Sequence, residues 1–332
     1  MDSNESFAAD YYEGAGNYDR ETVRFFDVAH EGAQVRAIGA AAGALGQLRG
    51  FNPRSIVVIA TDHISRAAAE AAATMRAPLP LPVVVTRTLP DYVGPLDVVV
   101  VVGDCTEDFR TGDDTRCLST ATRRGAVGIV AGPHRAPIVE DAPDSVTVIP
   151  ALPSTAKASP LRSFALVWAV LDSLTQPSEM IAEYLYALAD EVDVELQALS
   201  PQREETVNAA RQLRAFSAHG RVLHVGISRC GEAVAKLASH IWSARGIPSG
   251  LTGAAELPEA TAQSAETSIF HDPFIDGDDS GELVALKTIM WAEPKSSLPR
   301  SRAEYTEPTS LGEAASAARL IVRAYATTAM DV

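Results

Sequence analysis

Cysteine is scarce. The 332-residue chain holds three, Cys105, Cys117 and Cys230. They form no CxxC pair and no even framework, which excludes a disulfide scaffold and points to a reducing compartment. Lysine is rarer than the basic count implies. Of 28 Lys and Arg, only Lys157, Lys236, Lys287 and Lys295 are lysine, and 43 Asp and Glu bring the net charge to −15. That balance disfavours nucleic acid and anionic membrane as partners, because both need basic patches. A phosphate site would have to be built locally, from backbone amides and a few guanidinium groups. Long apolar runs are missing too. Val98–Val102 falls far short of the roughly 20 residues that span a bilayer. The opening MDSNESFAADYYEG is acidic and polar, with neither a basic nor an apolar region. No secretion signal is therefore expected, and the expected location is the cytoplasm. Histidines and cysteines are scattered without HxxxH or CxxC spacing, and no GxSxG elbow occurs. Neither a metal ion nor another cofactor is expected.

What is present is 46% hydrophobic and only 21% charged. That is enough for each half to bury a core, with too few charges for a disordered polyelectrolyte. Residues 1–21 read as a mobile N-terminal arm. Residues 27–48, with Val28, Val35, Ile38, Leu45 and Leu48 among alanines, read as one helix stopped by Gly50. Then the period changes. Ser55–Ala60 is a short β-branched run, of the kind buried on both faces of a parallel sheet. Similar runs stand at 82–86, 97–102, 126–131 and 145–149, with helical stretches at 64–76 and 113–124. Residues 160–174 read as an apolar helix, 178–199 as an acidic amphipathic one and 202–218 as another. The rhythm then restarts: a strand at 221–226, a helix at 232–244, strands at 249–255 and 283–291, a short helix at 258–265 and a closing helix at 310–328. Alternating strands and helices imply right-handed crossovers and doubly wound parallel sheets. The expected class is α/β with two such domains, 22–175 and 201–332, joined by a linker helix at 176–200.

Ligands of a doubly wound sheet bind beyond the carboxyl ends of its strands, where helix N-termini offer amides. After the first strand, Ser65 and Arg66 can meet an anion and His63 can carry a proton, although Thr61 or Asp62 equally suits a helix cap. After the third strand, Thr106 can hold a phosphate oxygen, against the repulsion of Asp104, Glu107 and Asp108. Gly226–Glu232 brings Ser228 and Arg229 into a glycine-containing loop before a helix, an anion nest with a guanidinium clamp. The competing reading is a turn that merely needs glycine. Glu259, in Glu256-Leu-Pro-Glu259, is a candidate general base or an ordinary first-turn acid. His271 is a candidate acid–base group or a structural loop residue, and His224, on a strand, reads as core.

One stretch runs Leu96-Asp-Val-Val-Val-Val-Val-Gly-Asp-Cys-Thr-Glu-Asp108, and Thr120-Ala-Thr-Arg-Arg-Gly-Ala-Val-Gly-Ile-Val-Ala-Gly132 follows it. With Ser159-Pro-Leu-Arg162, Ala233-Val-Ala235 and Leu257-Pro-Glu259, and in this order of elements, the chain resembles the double sugar-isomerase (SIS) domain proteins. It most resembles the bifunctional phosphoglucose/phosphomannose isomerases, over roughly residues 30–325. The resemblance implies two SIS-type domains, a homodimer, a site near the domain cleft, a phosphorylated sugar as ligand and Arg162 among the binding residues. The departures are specific. The family's Gly-Gly-Ser loop is Thr61-Asp-His-Ile-Ser65 here, and only Thr106 and Glu107 line up in the phosphate loop. The family's catalytic glutamate aligns with Ala244, and its histidine motif falls on Ala260–Gln263, which has none.

Three functions stay open on these grounds. The first is aldose–ketose isomerisation of glucose 6-phosphate or mannose 6-phosphate, using displaced groups such as Glu256, Glu259 or His271. The second is an inactive SIS protein that binds a sugar phosphate or sugar nucleotide and regulates a partner enzyme. The third is an interaction protein whose clefts are empty and whose acidic helix at 178–199 is the partner surface.

Overall fold

The computed structural model describes residues 18–103, 113–132, 136–152, 159–218, 220–258 and 286–332. Five parallel strands, β1 (Ser55–Ala60), β2 (Val83–Thr86), β3 (Asp97–Val102), β4 (Val127–Gly132) and β5 (Thr147–Pro150), form one sheet in the order β2-β1-β3-β4-β5. A second sheet has β6 (Arg221–Gly226), β7 (Ser249–Leu251), β8 (Leu286–Trp291) and β9 (Ser301–Glu304) in the order β7-β6-β8-β9, again all parallel. Every residue of β1 and β3 is buried. Their continuous valine and isoleucine runs suit this, since helices cover both faces of the sheet.

One core joins the two sheets. Ile56, Val58, Val98 and Val100 point into it from the first sheet, and Val222, Ile289 and Trp291 from the second. Between them lie α2 (Glu31–Ala40), α3 (His63–Arg76), α6 (Pro160–Ser173), α7 (Ser178–Ala198), α9 (Arg229–Ala244) and α10 (Glu313–Thr327). All of α6 is buried, as its apolar run Phe164–Leu171 demands, because an all-round hydrophobic helix has no face for water. The outer face of the first sheet, Val57, Ile59, Val99, Val101 and Val130, is covered by α4 (Asp113–Arg123) and α5 (Pro137–Glu140). On the second sheet, Val225 and Met290 meet Leu257. α7 joins the halves through a buried ion network: Glu195 pairs with Arg319 at 3.2 Å and Arg323 at 2.7 Å, and Arg323 with Glu304 at 2.8 Å.

Two local expectations are corrected. The helix expected over 27–48 is three pieces: α1 (Arg20–Ala29), α2 and a 3₁₀ turn at Ala42–Leu48. The breaks fall at His30, whose Nδ1 lies 2.6 Å from the Phe26 carbonyl, and at Ala41. They let Gly32 and Gly39 lie flat on α7, where a Cβ would press on Asp193 and Tyr186. The helix expected at 202–218 is shortened to α8 (Ala209–Ser217), capped by Asn208, whose side chain accepts from Ala210 N and Arg211 N. β9 adds a strand that the polar Ser301–Glu304 did not announce. The short helix expected at 258–265 lies almost wholly outside the described residues.

Candidate functional site

The first sheet has its topological switch between β1 and β3: the chain leaves β1 toward β2 on one side, while β3 lies on the other. In doubly wound sheets such a switch is where a ligand crevice forms at the carboxyl edge. Thr61 and Asp62 follow β1, and Gly103 follows β3 with φ +127. A Cβ on Gly103 would collide with Thr61 Oγ1 and stand 2.8 Å from Asp62 Oδ2, so glycine is required where the two loops touch. The start of α6 closes the floor. Ser159 caps it, accepting from Arg162 N at 3.2 Å, and the buried Arg162 guanidinium donates to the Gly103 carbonyl at 3.4 Å.

Glu31 completes this corner from α2. Its Oε2 accepts from Leu161 N at 2.8 Å in the first turn of α6, and its side chain is buried. Burial pushes its carboxyl up to about 7, while the Leu161 amide, Ser159 and Arg162 oppose that rise. A carboxyl, a guanidinium and a helix N-terminus therefore meet below the β1–β3 crevice. Glu31 was missed in the sequence, yet a signal existed: Val28, Glu31, Val35 and Ile38 share one helical stripe, and an acid on an apolar stripe is a buried acid.

The expected phosphate residues have different settings. Ser65 is fully buried; its N and Oγ donate to Asp62 at 2.7 and 2.8 Å, so the loop after β1 is a capped helix start. Arg66 is half-exposed and donates to Glu70 at 3.1 Å, one turn along α3. Ser228 caps α9, accepting from Gly231 N at 3.1 Å. Arg229 donates to the Ala77 carbonyl at 2.9 Å and pairs with Glu313 at 3.2 Å, tying α9 to α3 and α10. Among these candidates the fold brings Arg162 to the β1–β3 crevice, with Ser65 in the cap beside it. Ser228 and Arg229 stand at the edge of the second sheet. Thr106, Glu259 and His271 lie outside the described residues.

The second sheet's switch, between β6 and β8, is tightly closed. A Cβ on Gly226 would collide with the backbone of Gly231 and Glu232, and one on Gly231 with the Trp291 carbonyl. The glycines therefore serve a close strand-to-helix turn. Glu256 stands on an exposed turn beside Gly253. His224 is a core residue: Trp291 Nε1 donates to its Nδ1 at 3.0 Å, which places the proton of the neutral ring on Nε2, and burial pushes its pKa down to about 3. Among the described residues no group of three His, Cys, Asp or Glu is placed to hold a metal, and no helix is long and apolar enough to cross a membrane.

No protein-family model and no curated protein sequence matches the chain. Solved structures do. The C-terminal domain of glucosamine-fructose-6-phosphate aminotransferase from Francisella tularensis superposes with a TM-score of 0.59 at 13% identity, over 94% of this chain and 95% of that one. The tagatose-6-phosphate ketose/aldose isomerase of Escherichia coli gives 0.57 at 12% identity, over 92% of this chain and 90% of that one. The fold is the two-sheet SIS fold. At these identities the likeness extends to architecture alone, and it does not single out the phosphoglucose/phosphomannose isomerases.

Proposed function

We propose that this chain binds a phosphorylated sugar in the crevice between β1 and β3. One observation carries the reading: a buried guanidinium, Arg162, bonded to the last carbonyl of β3 at the switch point of a chain whose net charge is −15. A cation kept there offsets its desolvation when an anion is near. Both structural relatives are named for hexose 6-phosphates, which favours a sugar phosphate as the ligand. The proposed setting is a cytoplasmic homodimer.

The finer reading is aldose–ketose isomerisation of glucose 6-phosphate or mannose 6-phosphate. That reaction needs ring opening and then proton transfer between C1 and C2 through an enediolate, with a positioned carboxylate and an acid–base partner. Glu259 and His271 are the candidates for those roles. A second reading, a sugar-phosphate sensor without turnover, is favoured by Ala244. It ends α9 and offers a methyl group where the resemblance implies the catalytic carboxylate. A thermal-shift screen with glucose 6-phosphate, mannose 6-phosphate, fructose 6-phosphate and sugar nucleotides, followed by a turnover assay on each hit, tests both. Stabilisation with interconversion supports the isomerase, and stabilisation alone supports the sensor. If every phosphosugar leaves the melting temperature unmoved, the binding proposal fails.

A further inference from the structure

Beside the first crevice, two helices from different halves bring a pair of histidines into contact. His63 is the first residue of α3 and directly follows Asp62, which caps that helix. Its ring stacks on His240 of α9, with centroids 5.8 Å apart and planes 16° from parallel. The helices run in opposite directions. Arg229 at the start of α9 donates to the Ala77 carbonyl just past the end of α3, and Lys236 pairs with Glu70 between the two contacts. The stack therefore closes one end of the α3–α9 contact, the end at the carboxyl edge of the first sheet.

The fixed charges around the pair balance. Arg66 of α3 and Lys236 of α9 both pair with Glu70, and Asp62 supplies a second carboxylate. The other helices packed here turn their charges elsewhere. α6 sends Arg162 to the Gly103 carbonyl and Asp172 to Arg76, while α10 sends Arg319 and Arg323 to Glu195 and Tyr325 to Arg245. Among the described residues neither imidazole has a carboxylate on a ring nitrogen. A proton arriving on either ring thus meets no waiting acid. A charged His240 needs water that its half-buried place in the stack denies it, and charge on both rings sets two cations face to face.

We propose that His63 and His240 form a proton-sensitive latch between the two halves at the mouth of the β1–β3 crevice, closed while both rings are neutral and loosened when they take up protons. Burial holds His240 below its ordinary 6.5, and His63, Lys236 and Arg66 add to this, with Glu70 opposing. The folded state therefore binds fewer protons here than the unfolded chain. The contact's stabilisation is whole above 6.5, declines as the pH falls from there, and is lost below the folded value. Mild acid frees the end of α9 from the start of α3, while the Arg229 end of the contact has no histidine and stays shut. The inference goes beyond the sugar-binding reading, because it concerns how the halves hold each other.

The test uses the full chain without ligand. It reads the pair itself, because Glu31 moves global stability in the opposite direction. Ring-proton NMR from pH 8 to pH 5 should give His240 a midpoint below 6.5. His63→Gln, an exposed change with little reason to unfold the protein, should move that midpoint up. Hydrogen exchange, corrected for intrinsic rates, should show protection at the start of α3 and the end of α9 falling roughly threefold or more between pH 8 and pH 5.5. Protection where Arg229 meets Ala77 should hold. His240→Gln, neutral throughout, should remove most of the fall, and circular dichroism checks its fold. A His240 midpoint at or above 6.5 would overturn the proposal, as would a midpoint unmoved by His63→Gln or an equal loss of protection at both ends of the contact. No ligand enters the test, so none of these outcomes bears on sugar-phosphate binding.

Discussion

The carboxyl edges of the two sheets share a strand order, with the first strand flanked by its successor on one side and a later strand on the other. They differ in how closely the backbone is packed. At the β1–β3 edge, Gly103 is the one glycine among the described residues, and Arg162 and Glu31 lie beneath the contact. At the β6–β8 edge, Gly226 and Gly231 press strand against helix and against the Trp291 carbonyl. The connections differ as well. α4 lies between β3 and β4, whereas residues 292–300 carry β8 to β9 without a helix, bounded by Ala292 at φ 59 and Arg300 at φ 51. One topology therefore yields an edge floored by charged groups and an edge sealed by backbone. Topology supplies the place, and packing decides whether a ligand can use it.

The largest expected effect would break the sealed edge. Gly226→Ala should cost upward of about 4 kcal/mol, because the new methyl meets fixed backbone. Gly250→Ala, which meets only a Leu223 side chain at 3.3 Å, should cost about 1 kcal/mol or less. Urea unfolding of the two variants compares them directly, and similar midpoints would refute the contrast.

Next comes the pH response of the charged floor. Folded Glu31 keeps its proton up to about 7, while the unfolded chain releases it near the ordinary 4.5. The folded state thus binds more protons inside this window, and stability falls as pH rises through it. The loss is on the order of 3 kcal/mol and complete above the folded value. Glu31→Gln, neutral throughout, should lose that fall when urea midpoints are followed from pH 4.5 to 7.5. An unaltered slope would show that Glu31 is not its source.

Two arginines sharpen the comparison at smaller scale. Arg162→Met should weaken sugar-phosphate binding at least tenfold, roughly 1.4 kcal/mol or more. Circular dichroism would confirm its fold, since the side chain is buried. Arg229→Met, at the sealed edge, removes an exposed pair with Glu313. It should cost under about 1 kcal/mol in stability and leave sugar-phosphate affinity unchanged. Equal losses of affinity in the two variants would erase the distinction between the edges.

Much of the architecture was legible because buried parallel strands write themselves as β-branched runs. Ser55–Ala60, Asp97–Val102 and Arg221–Gly226 stand where those runs place them. β9 was not legible: Ser301–Glu304 has no β-branched residue, and it is held as a strand by register with β8 and by the pairing of Glu304 with Arg323. The break at His30 was hidden because alanine-rich sequence carries no stop, and the bend arises from α7 packing on Gly32 and Gly39. Ser228 and Arg229 show a further limit. A serine before a helix and an arginine after it suit an anion or a cap equally, and only their contacts with Gly231, Ala77 and Glu313 decide. Glu31 and His240 were passed over because their neighbours lie far away in the chain, at Leu161 and at His63.

The core that both sheets share has a consequence for the history and handling of this protein. Among the described residues one apolar core runs through both halves, so neither half cut from the other is expected to bury its own faces. Anything that tightens one edge is also felt throughout the interior. A ligand seated at β1 and β3 should therefore slow amide exchange in β6 and β8 as well, although it touches neither.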